Sequence, residues 1–317
     1  MVADAGRALI TGGAGFIGSH LCDALIAAGW HVTVLDDLST GHRANIASLL
    51  SHPRFTFVHR DVRTPVAWTG DVIFHLASPA SPAAYTRARV ETLTTNAHGT
   101  LQMLELARRT GARLVLASTS EVYGDPEVHP QHETYPGRVD PTGPRSCYDE
   151  GKRYAEALVA AAVHEWGVDA RVARIFNTYG PRMRPDDGRV VVTFVTALLE
   201  GRPLRIFGDG LQTRSLCYID DMVRGLIRLA EVPGLAGEAI NLGNPDERTV
   251  LQIAEAVQRA AGRSARLVYL PPQPGDPQRR RPDITKARRL LGWSPEVPLE
   301  DGLRRTWQWY EAHVAIS

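Results

Sequence analysis

The sequence predicts an α/β protein: a doubly wound parallel sheet followed by a smaller α/β unit toward the C-terminus. Three observations carry this. Short β-branched runs alternate with helical patterns through the first half. A glycine-rich turn joins the first such run to the first helical segment. After Asn177 the texture changes, with Gly180-Pro181, Pro185 and Gly188 clustered and the later segments mixing strand and helix less regularly.

Strand patterns fall at 7–11, 31–35, 56–59, 72–75, 113–117 and 170–175, and helical patterns at 16–28, 43–50, 85–109 and 148–165. Strands separated by helices imply βαβ units, hence parallel pairing, right-handed crossovers and a sheet covered on both faces. Residues 1–180 are assigned to the first unit, with 214–242 returning to its sheet. Residues 181–213 and 243–317 make the smaller unit, with 204–207 as one of its strands and 271–277 as a loop.

Composition narrows the classes. With 317 residues, 44% hydrophobic and 22% charged, the chain has material for a sizeable core without staples. A net charge of +1, from 36 basic and 35 acidic residues, argues against general attraction to nucleic acid or an anionic membrane. Three widely spaced cysteines, Cys22, Cys147 and Cys217, argue against a disulfide framework and a CxxC metal site. His129 and His132 sit three apart but in a proline-rich loop, so no metal is expected. Residues 1–7 are too short and polar for a signal peptide, and no window approaches about 18 apolar residues. The expectation is a cytoplasmic protein with no membrane span.

The segment Ala8–Gly18 reads A-L-I-T-G-G-A-G-F-I-G. Gly12, Gly15 and Gly18 fit G-x-x-G-x-x-G, and Gly13, Gly15 and Gly18 fit G-x-G-x-x-G. One glycine permits the tight turn, one lets backbone N–H groups approach a pyrophosphate, and one lets the helix lie close on the strand. The helix N-terminus then faces the phosphates. A second strand ends in Asp36, an acceptor for the adenine ribose hydroxyls that would repel the 2′-phosphate of NADP. Arg43 lies close enough to that loop to weigh the other way, but the pattern reads as a Rossmann unit for NAD.

Tyr148 and Lys152 stand four apart, on one face of a helix. A free phenol titrates near pH ~10, and a neighbouring ammonium favours its ionised form. The pair can then take a proton from a sugar hydroxyl while a nicotinamide takes the hydride. Taken alone, Y-x-x-x-K is two surface residues on a helix; its place after a strand ending in Ser118-Thr119, in a chain with a dinucleotide fingerprint, makes it catalytic.

These residues resemble the extended short-chain dehydrogenase/reductase family over nearly the whole chain. Five longer stretches are similar to its UDP-glucuronate decarboxylase branch: His75-Leu-Ala-Ser-Pro-Ala-Ser-Pro82, Ser118-Thr-Ser-Glu-Val-Tyr-Gly-Asp-Pro126, Cys147-Tyr-Asp-Glu-Gly-Lys-Arg153, Arg174-Ile-Phe-Asn-Thr-Tyr-Gly-Pro-Arg182 and Asp276-Pro-Gln-Arg-Arg-Arg-Pro-Asp283. Members of that branch often carry an N-terminal anchor, and this sequence is similar to the forms without one. The resemblance implies oxidation at C4 of the hexuronate, loss of the C6 carboxylate as carbon dioxide from the β-keto acid, reprotonation at C5, and reduction at C4 by the NADH still bound. It makes Tyr148 the C4 base and Lys152 its tuner, sets Thr119 on the C4 oxygen, and places Ser120 and Glu121 against C5 and the carboxylate. Glu121 is expected to position water or pass the proton to C5. Arg280 is matched to the carboxylate or the developing enolate, which suits its rigid fork.

For NAD the resemblance adds Phe16, Ile17, Asp37, Ser39, Thr40, Gly41, Asp61, Val62, Leu76, Ala77, Ser78, Ser118 and Arg182 to Gly12, Gly15, Gly18, Asp36, Tyr148 and Lys152. For the UDP-sugar it points to Tyr85, Asn177, Arg189, Val190, Leu204, Arg205, Phe207, Arg214 and Arg280. Thr193 departs from the family's usual asparagine and puts one diphosphate contact in doubt. Cys147, with no histidine nearby in sequence, reads as core packing. A homodimer through a four-helix bundle is implied, with the 85–109 helix and the apolar face Ala155, Leu158, Val159, Ala162 and Val163 of the 148–165 helix. Related outcomes stay open: release of the 4-keto pentose with NADH, or a 4,6-dehydratase or 4-epimerase reaction on the same fold. The dehydratases carry an aspartate where this chain has Ser120, and the epimerases lack the Glu121 and Arg280 combination. A non-catalytic NAD-sensing protein would have lost Tyr148 or Lys152.

Overall fold

A computed structural model describes residues 5–272 and 279–314. Its centre is a seven-stranded parallel sheet. The strands are β1 (Arg7–Thr11), β2 (His31–Asp36), β3 (Phe55–His59), β4 (Val72–His75), β5 (Arg113–Thr119), β6 (Ala170–Ile175) and a last strand, Ala239–Leu242. Their order is Ala239–Leu242, β6, β5, β4, β1, β2, β3. The order reverses between β1 and β4, and the crevice above the carboxyl ends of that pair is where such sheets bind ligands.

The strand residues are buried in alternation toward two layers. Ala8, Ile10, Val32, Val34, Phe74, Val115 and Ala173 join one core, shared with helix α1 (Phe16–Ala27) and the helix Ile219–Glu231. Leu9, Leu35, Ile73, Leu114, Leu116 and Val172 join the other. That layer is closed by α4 (Thr100–Thr110) and α5 (Ser146–Trp166). Both faces are apolar because both are covered, which is why the strands read as near-continuous β-branched runs.

Two helical expectations change. Residues 43–50 form a 3₁₀ helix, Arg43–Leu49. The helix read over 85–109 is four pieces: α2 (Pro82–Arg87), α3 (Arg89–Thr94), a π turn at Thr95–Gly99, and α4. Ser81 caps α2 and starts it at Pro82, and Ala88 leaves helical geometry at ψ 57, so the chain turns before α3 begins. The π turn follows, with Asn96 donating to the Thr92 carbonyl; Gly99 there packs against Val62.

Beyond β6 the chain builds short strands and helices that share the first core. Leu204–Phe207 pairs in parallel with Leu267–Leu270, and Thr213–Ser215 pairs antiparallel with Glu247–Thr249. Of the stretch 214–242, the helix Ile219–Glu231 packs on the sheet and Ala239–Leu242 pairs with β6. Asp221, buried near the start of that helix, accepts from the Glu296 and Val297 N–H groups at 3.0 and 2.9 Å, pinning the C-terminal segment. The Asp276-Pro277-Gln278 part of the fifth family marker and most of the loop at 271–277 lie outside the described residues.

Arg171 on β6 is the deepest cation, with a side chain 0% exposed. It donates to the Leu229 carbonyl at 2.6 Å and to Val232, and pairs with Asp169 at 2.8 Å. It therefore satisfies the C-terminal carbonyls of the helix Ile219–Glu231, which have no partner within the helix. Arg171→Ala strands those carbonyls, while Asp169 keeps Arg113 at 2.7 Å, and is expected to cost about 1–3 kcal/mol. A thermal melt checks this through a fall of several degrees in Tm.

Candidate active site

The glycine turn gives each of its residues a separate task. Gly12 sits at φ +72, and a Cβ there would lie 2.8 Å from the Ala77 amide nitrogen. Gly18 faces the turn so closely that a Cβ would meet the Gly12 carbonyl oxygen at 2.3 Å. Gly15 is the N-cap of α1, and α1 has no acidic residue in its first turn. Its amide end is thus available to an anion. At the end of β2, Asp36 is buried and accepts from the Ala14 and Leu38 N–H groups at 2.9 and 2.8 Å. Burial pushes its carboxyl up from the ordinary carboxylate range, and those two N–H groups hold it back. Gly41 leaves its oxygens open, since a Cβ there would come within 2.9 Å of them. A cradle that no side chain fills, a helix amide end and an acceptor at the second strand's tip fit an adenine dinucleotide.

The other expected cofactor residues are distributed around this crevice. Phe16 and Ile17 open α1 and are half-buried. Asp37 accepts from the Ser39 N–H and hydroxyl at 2.9 and 2.6 Å, fixing the turn that leads to Thr40. Asp61 is paired with Arg63 at 2.6 Å, which holds it below the usual range, and Val62 beside it is buried. Leu76, Ala77 and Ser78 follow β4, where the Leu76 N–H reaches the Thr11 carbonyl at 3.1 Å and the Ala77 N–H the Thr11 hydroxyl at 3.2 Å. That hydroxyl is also hydrogen-bonded to His75 Nδ1 at 2.7 Å, and His75 Nε2 to the Thr100 hydroxyl at 3.2 Å. His75 is fully buried, and burial followed by the Lys152 charge takes it down to about 3, so it is a neutral strut. Arg182, at φ 67, meets Asp23 at 2.7 Å.

Thr119, Tyr148 and Lys152 come together at the end of β5 and the start of α5. The Thr119 hydroxyl is close enough to the Tyr148 phenol to favour its ionised form. Lys152 is buried, its Nζ 6.0 Å from the Tyr148 ring centroid, and it donates to the Ala117 carbonyl at 2.8 Å. This corrects the expectation that the ammonium by itself lowers the phenol. Burial pushes Tyr148 up to about 12, opposed by Arg189 and the Thr119 hydroxyl, and the same burial takes Lys152 down to about 7. Desolvation outweighs the lysine because both groups lose water together. Ser118 donates to Glu156, which Arg174 also grips in two-point fashion at 2.7 Å. Tyr85 stacks flat on Tyr148, with centroids 5.2 Å apart and planes 7° from parallel.

Glu121 ends in a clamp. It forms ion pairs with Arg280 and, at 2.6 Å, with Arg145. Arg280 also donates to the Gly124 carbonyl at 3.3 Å. Burial would raise Glu121; Arg280 and Arg145 overcome that and hold it well below the ordinary range. A carboxylate so held carries no proton at neutrality, which removes Glu121 as the expected proton donor. Arg145 was not singled out in the sequence, although it stands one helical turn before Tyr148. Asp149 was missed too: it is buried, and its Oδ1 has no hydrogen-bond partner among the described residues. Ser120, in the same turn, is buried.

On the far side, Arg189 donates to the Ala80 carbonyl at 2.9 Å and is the N-cap of the helix Val190–Leu199. Thr193 turns inward on its own helix, donating to the Arg189 carbonyl at 2.9 Å. Arg214 is close enough to Glu121 to favour its ionised form. Asn177 accepts at its carbonyl from Cys217 at 2.9 Å. Arg205 is exposed and Phe207 half-buried, whereas Leu204 is fully buried in the first core, so its expected ligand contact is withdrawn for the side chain. Cys147 is buried, its thiol reaching the Tyr85 carbonyl at 3.6 Å, in keeping with packing. Among the described residues, no group of three His, Cys, Asp or Glu is arranged to hold a metal.

Residues 8–243 match the model of the NAD dependent epimerase/dehydratase family. The chain is 52% identical over 311 residues to UDP-glucuronic acid decarboxylase 1 of Danio rerio, covering 98% of this chain and 74% of that protein. Among solved structures it is similar to UDP-glucose 4-epimerase of Thermotoga maritima with UDP-glucose, at TM-score 0.88 and 32% identity over 98% of this chain and 100% of that one. It is also similar to UDP-glucuronic acid 4-epimerase of Bacillus cereus in complex with UDP-glucuronic acid and NAD, at TM-score 0.86 and 33% identity over 96% and 99%. The chain thus belongs to the NAD-dependent epimerase/dehydratase family of extended short-chain dehydrogenase/reductases, on its UDP-glucuronic acid decarboxylase branch.

Proposed function

We propose that the chain converts UDP-glucuronate to UDP-xylose and carbon dioxide through a 4-keto intermediate. The observation that carries this is the clamp of Glu121 between Arg145 and Arg280, one turn of chain from the Thr119–Tyr148 pair. An alcohol oxidation alone needs only Thr119, Tyr148 and Lys152. A pair of guanidiniums beside them, Arg145 and Arg280, suits a substrate with a carboxylate next to the reacting carbon.

The positive nicotinamide ring of bound NAD would favour the Tyr148 phenolate that burial disfavours; that phenolate takes the C4 hydroxyl proton and returns it when C4 is reduced, with Thr119 aligning the oxygen. Bound NAD supplies the hydride acceptor for C4 and the donor for its return. Arg280 and Arg145 orient the carboxylate, and Glu121 keeps both guanidiniums in place until the substrate arrives. Once C4 is a ketone, the C5–C6 bond breaks with its electrons delocalised onto the C4 oxygen, and the Arg280 charge favours that enolate. Gly12, Gly15, Phe16, Ile17, Gly18 and Arg182 serve the pyrophosphate. Asp36, Asp37, Ser39, Thr40 and Gly41 serve the adenine ribose, and Asp61 and Val62 the adenine. Leu76, Ala77, Ser78, Ser118 and Lys152 line the nicotinamide side. Tyr85 borders the sugar, and Asn177, Arg189, Val190, Arg205, Phe207 and Arg214 the uridine diphosphate. The 1–180 unit with 214–242 carries the cofactor, and 181–213 with 243–317 covers the nucleotide sugar.

We further propose a cytoplasmic homodimer. Cys22, Cys147 and Cys217 are all free thiols, as a reducing compartment keeps them. Ala155, Val159 and Ala162 pack into the second core, so they leave the proposed dimer face. In their place stand Val90 at 68%, Leu93 at 41% and Tyr154 at 52% exposure, on the adjoining helices α3 and α5. Large apolar side chains so exposed on neighbouring helices suit an interface.

Incubation with UDP-glucuronate and substoichiometric NAD is expected to yield carbon dioxide and a pentose nucleotide by mass; turnover of UDP-glucose instead would refute the reading. Arg280→Ala and Glu121→Ala should fold yet lose about a hundredfold to a thousandfold in carbon dioxide release. Tyr148→Phe should slow reduction of the nicotinamide by about 10²–10⁴, with UDP-glucuronate affinity retained in a calorimetric titration. The double variant Val90→Asp, Tyr154→Glu is expected to run as a monomer in light scattering.

A further inference from the structure

Decarboxylation of a carboxylate consumes one proton: the C5–C6 bond breaks, carbon dioxide leaves, and C5 gains a hydrogen. The proton that Tyr148 takes from the C4 hydroxyl goes back to the C4 oxygen, so it is not the one C5 receives. Glu121 is held ionised by Arg145 and Arg280 and has none to give. One further carboxyl of this cluster is enclosed by the fold. Asp149, next to Tyr148 in the first turn of α5, is 7% exposed, and its Oδ1 has no hydrogen-bond partner among the described residues. A buried carboxylate oxygen with nothing donating to it favours the protonated form.

We propose that Asp149 enters each turnover protonated and supplies, through water at the Glu121 clamp, the proton that C5 receives. This rests on the decarboxylase reading above. The charges facing Asp149 support it: Arg145 from the start of α5, Arg280 from the C-terminal segment, Glu121 from the turn after β5, and Glu150 on its own helix, which pairs outward with Arg153 at 3.5 Å. Tyr85 of α2, Tyr148 and Cys147 are the neutral titratable groups near it. Arg145 and Arg280 bring two positive charges and Glu121 one negative. A hexuronate carboxylate brings the sum to zero only while Asp149 is neutral. When carbon dioxide leaves, that negative charge passes to the enolate. When Asp149 gives its proton to C5, the enolate becomes a neutral ketone and Asp149 a carboxylate, so the sum stays at zero throughout. Release of the neutral pentose moiety then leaves Asp149 to regain a proton from solvent. In the ligand-free protein, burial and then the Glu121 charge raise Asp149 to about 7, opposed by Arg145 and Arg280. An entering carboxylate raises it further, so at about pH 8 the free protein is mostly ionised at Asp149 and the complex protonated.

The test uses the full chain with NAD and has two arms. In the Tyr148→Phe background, where chemistry is blocked, UDP-glucuronate is titrated at about pH 8 in two buffers of different ionisation heat. Uptake of close to one proton is expected, and its loss in the added Asp149→Asn variant. Uptake unchanged by Asp149→Asn overturns the proposal, whatever reaction the enzyme performs. With Tyr148 intact, a single turnover of Asp149→Asn should still release carbon dioxide and accumulate reduced nicotinamide, but reoxidise it at least tenfold more slowly. The pH dependence of that step, which in the parent protein slows as pH rises through the Asp149 titration, should flatten. Asp149→Glu, which keeps the acid, restores the step. Equal slowing of nicotinamide reduction and reoxidation, or no rescue by Asp149→Glu, marks a structural role and overturns the proposal. Failure of the parent protein to release carbon dioxide refutes the decarboxylase reading instead, and the titration still reads Asp149.

Discussion

The buried ion pair between Glu121 and Arg280 joins two parts of the chain that are far apart in sequence. Glu121 sits in the turn that ends β5 and Arg280 in the C-terminal segment, with side chains 14% and 5% exposed. Taking two such charges out of water is costly, and removing either alone leaves the other unpaired in a medium that solvates it poorly. A cluster of this kind contributes little to net stability, but it fixes which groups face one another. The cleft is therefore closed on one side by Arg280 from outside the sheet and on the other by β5 and α5. The Gln131 backbone reinforces it, accepting from Asp283 at 2.8 Å and donating to Arg281 at 2.9 Å, beside Arg280.

The same enclosure explains the titration behaviour of the whole site. Tyr148 goes up, Lys152 and His75 go down, and Asp149 goes up, and in each case burial is the first cause. Every one of these shifts favours the neutral form. Glu121 is the exception, because two guanidiniums are within direct contact. Beside the groups that burial holds neutral, the Glu121 clamp is thus the concentrated charged feature, and that feature is where an anionic substituent would go. Charge placed by contact survives burial; charge placed by proximity alone does not.

The sheet was legible in the sequence because its central strands are buried on both faces and so read as β-branched runs between turns. All six expected strands form, with ends shifted by a residue or two. The helix over 85–109 was not legible as pieces, since the break at Ala88 and the π turn leave the apolar spacing nearly intact. The dimer stripe failed for a related reason. A helix covering a sheet needs an apolar face anyway, and Ala155, Val159 and Ala162 supply it, while Tyr154, the residue that protrudes, does not fit the stripe. In the site, motifs found Thr119, Tyr148, Lys152, Glu121 and Arg280, but not their protonation. That depends on how many neighbours exclude water, which spacing does not encode. Arg145 was within reach of helical spacing, three residues before Tyr148, whereas the orphaned oxygen of Asp149 is a property of packing alone.

A net proton requirement sets the logic of a site that removes a carboxylate. The group that begins the reaction cannot also finish it, because its proton is already owed to the oxygen it came from. A second acid must be near, and it must not be ionised by the cations that hold the substrate. Asp149 meets both demands: it is buried one residue from Tyr148, and the charge of Glu121, which meets Arg145 and Arg280 directly, opposes their pull on its proton. Glu121 then has a role that needs no proton. By taking up the contacts of both guanidiniums it offsets their pull on the Asp149 proton, and it can surrender part of that contact to an incoming carboxylate.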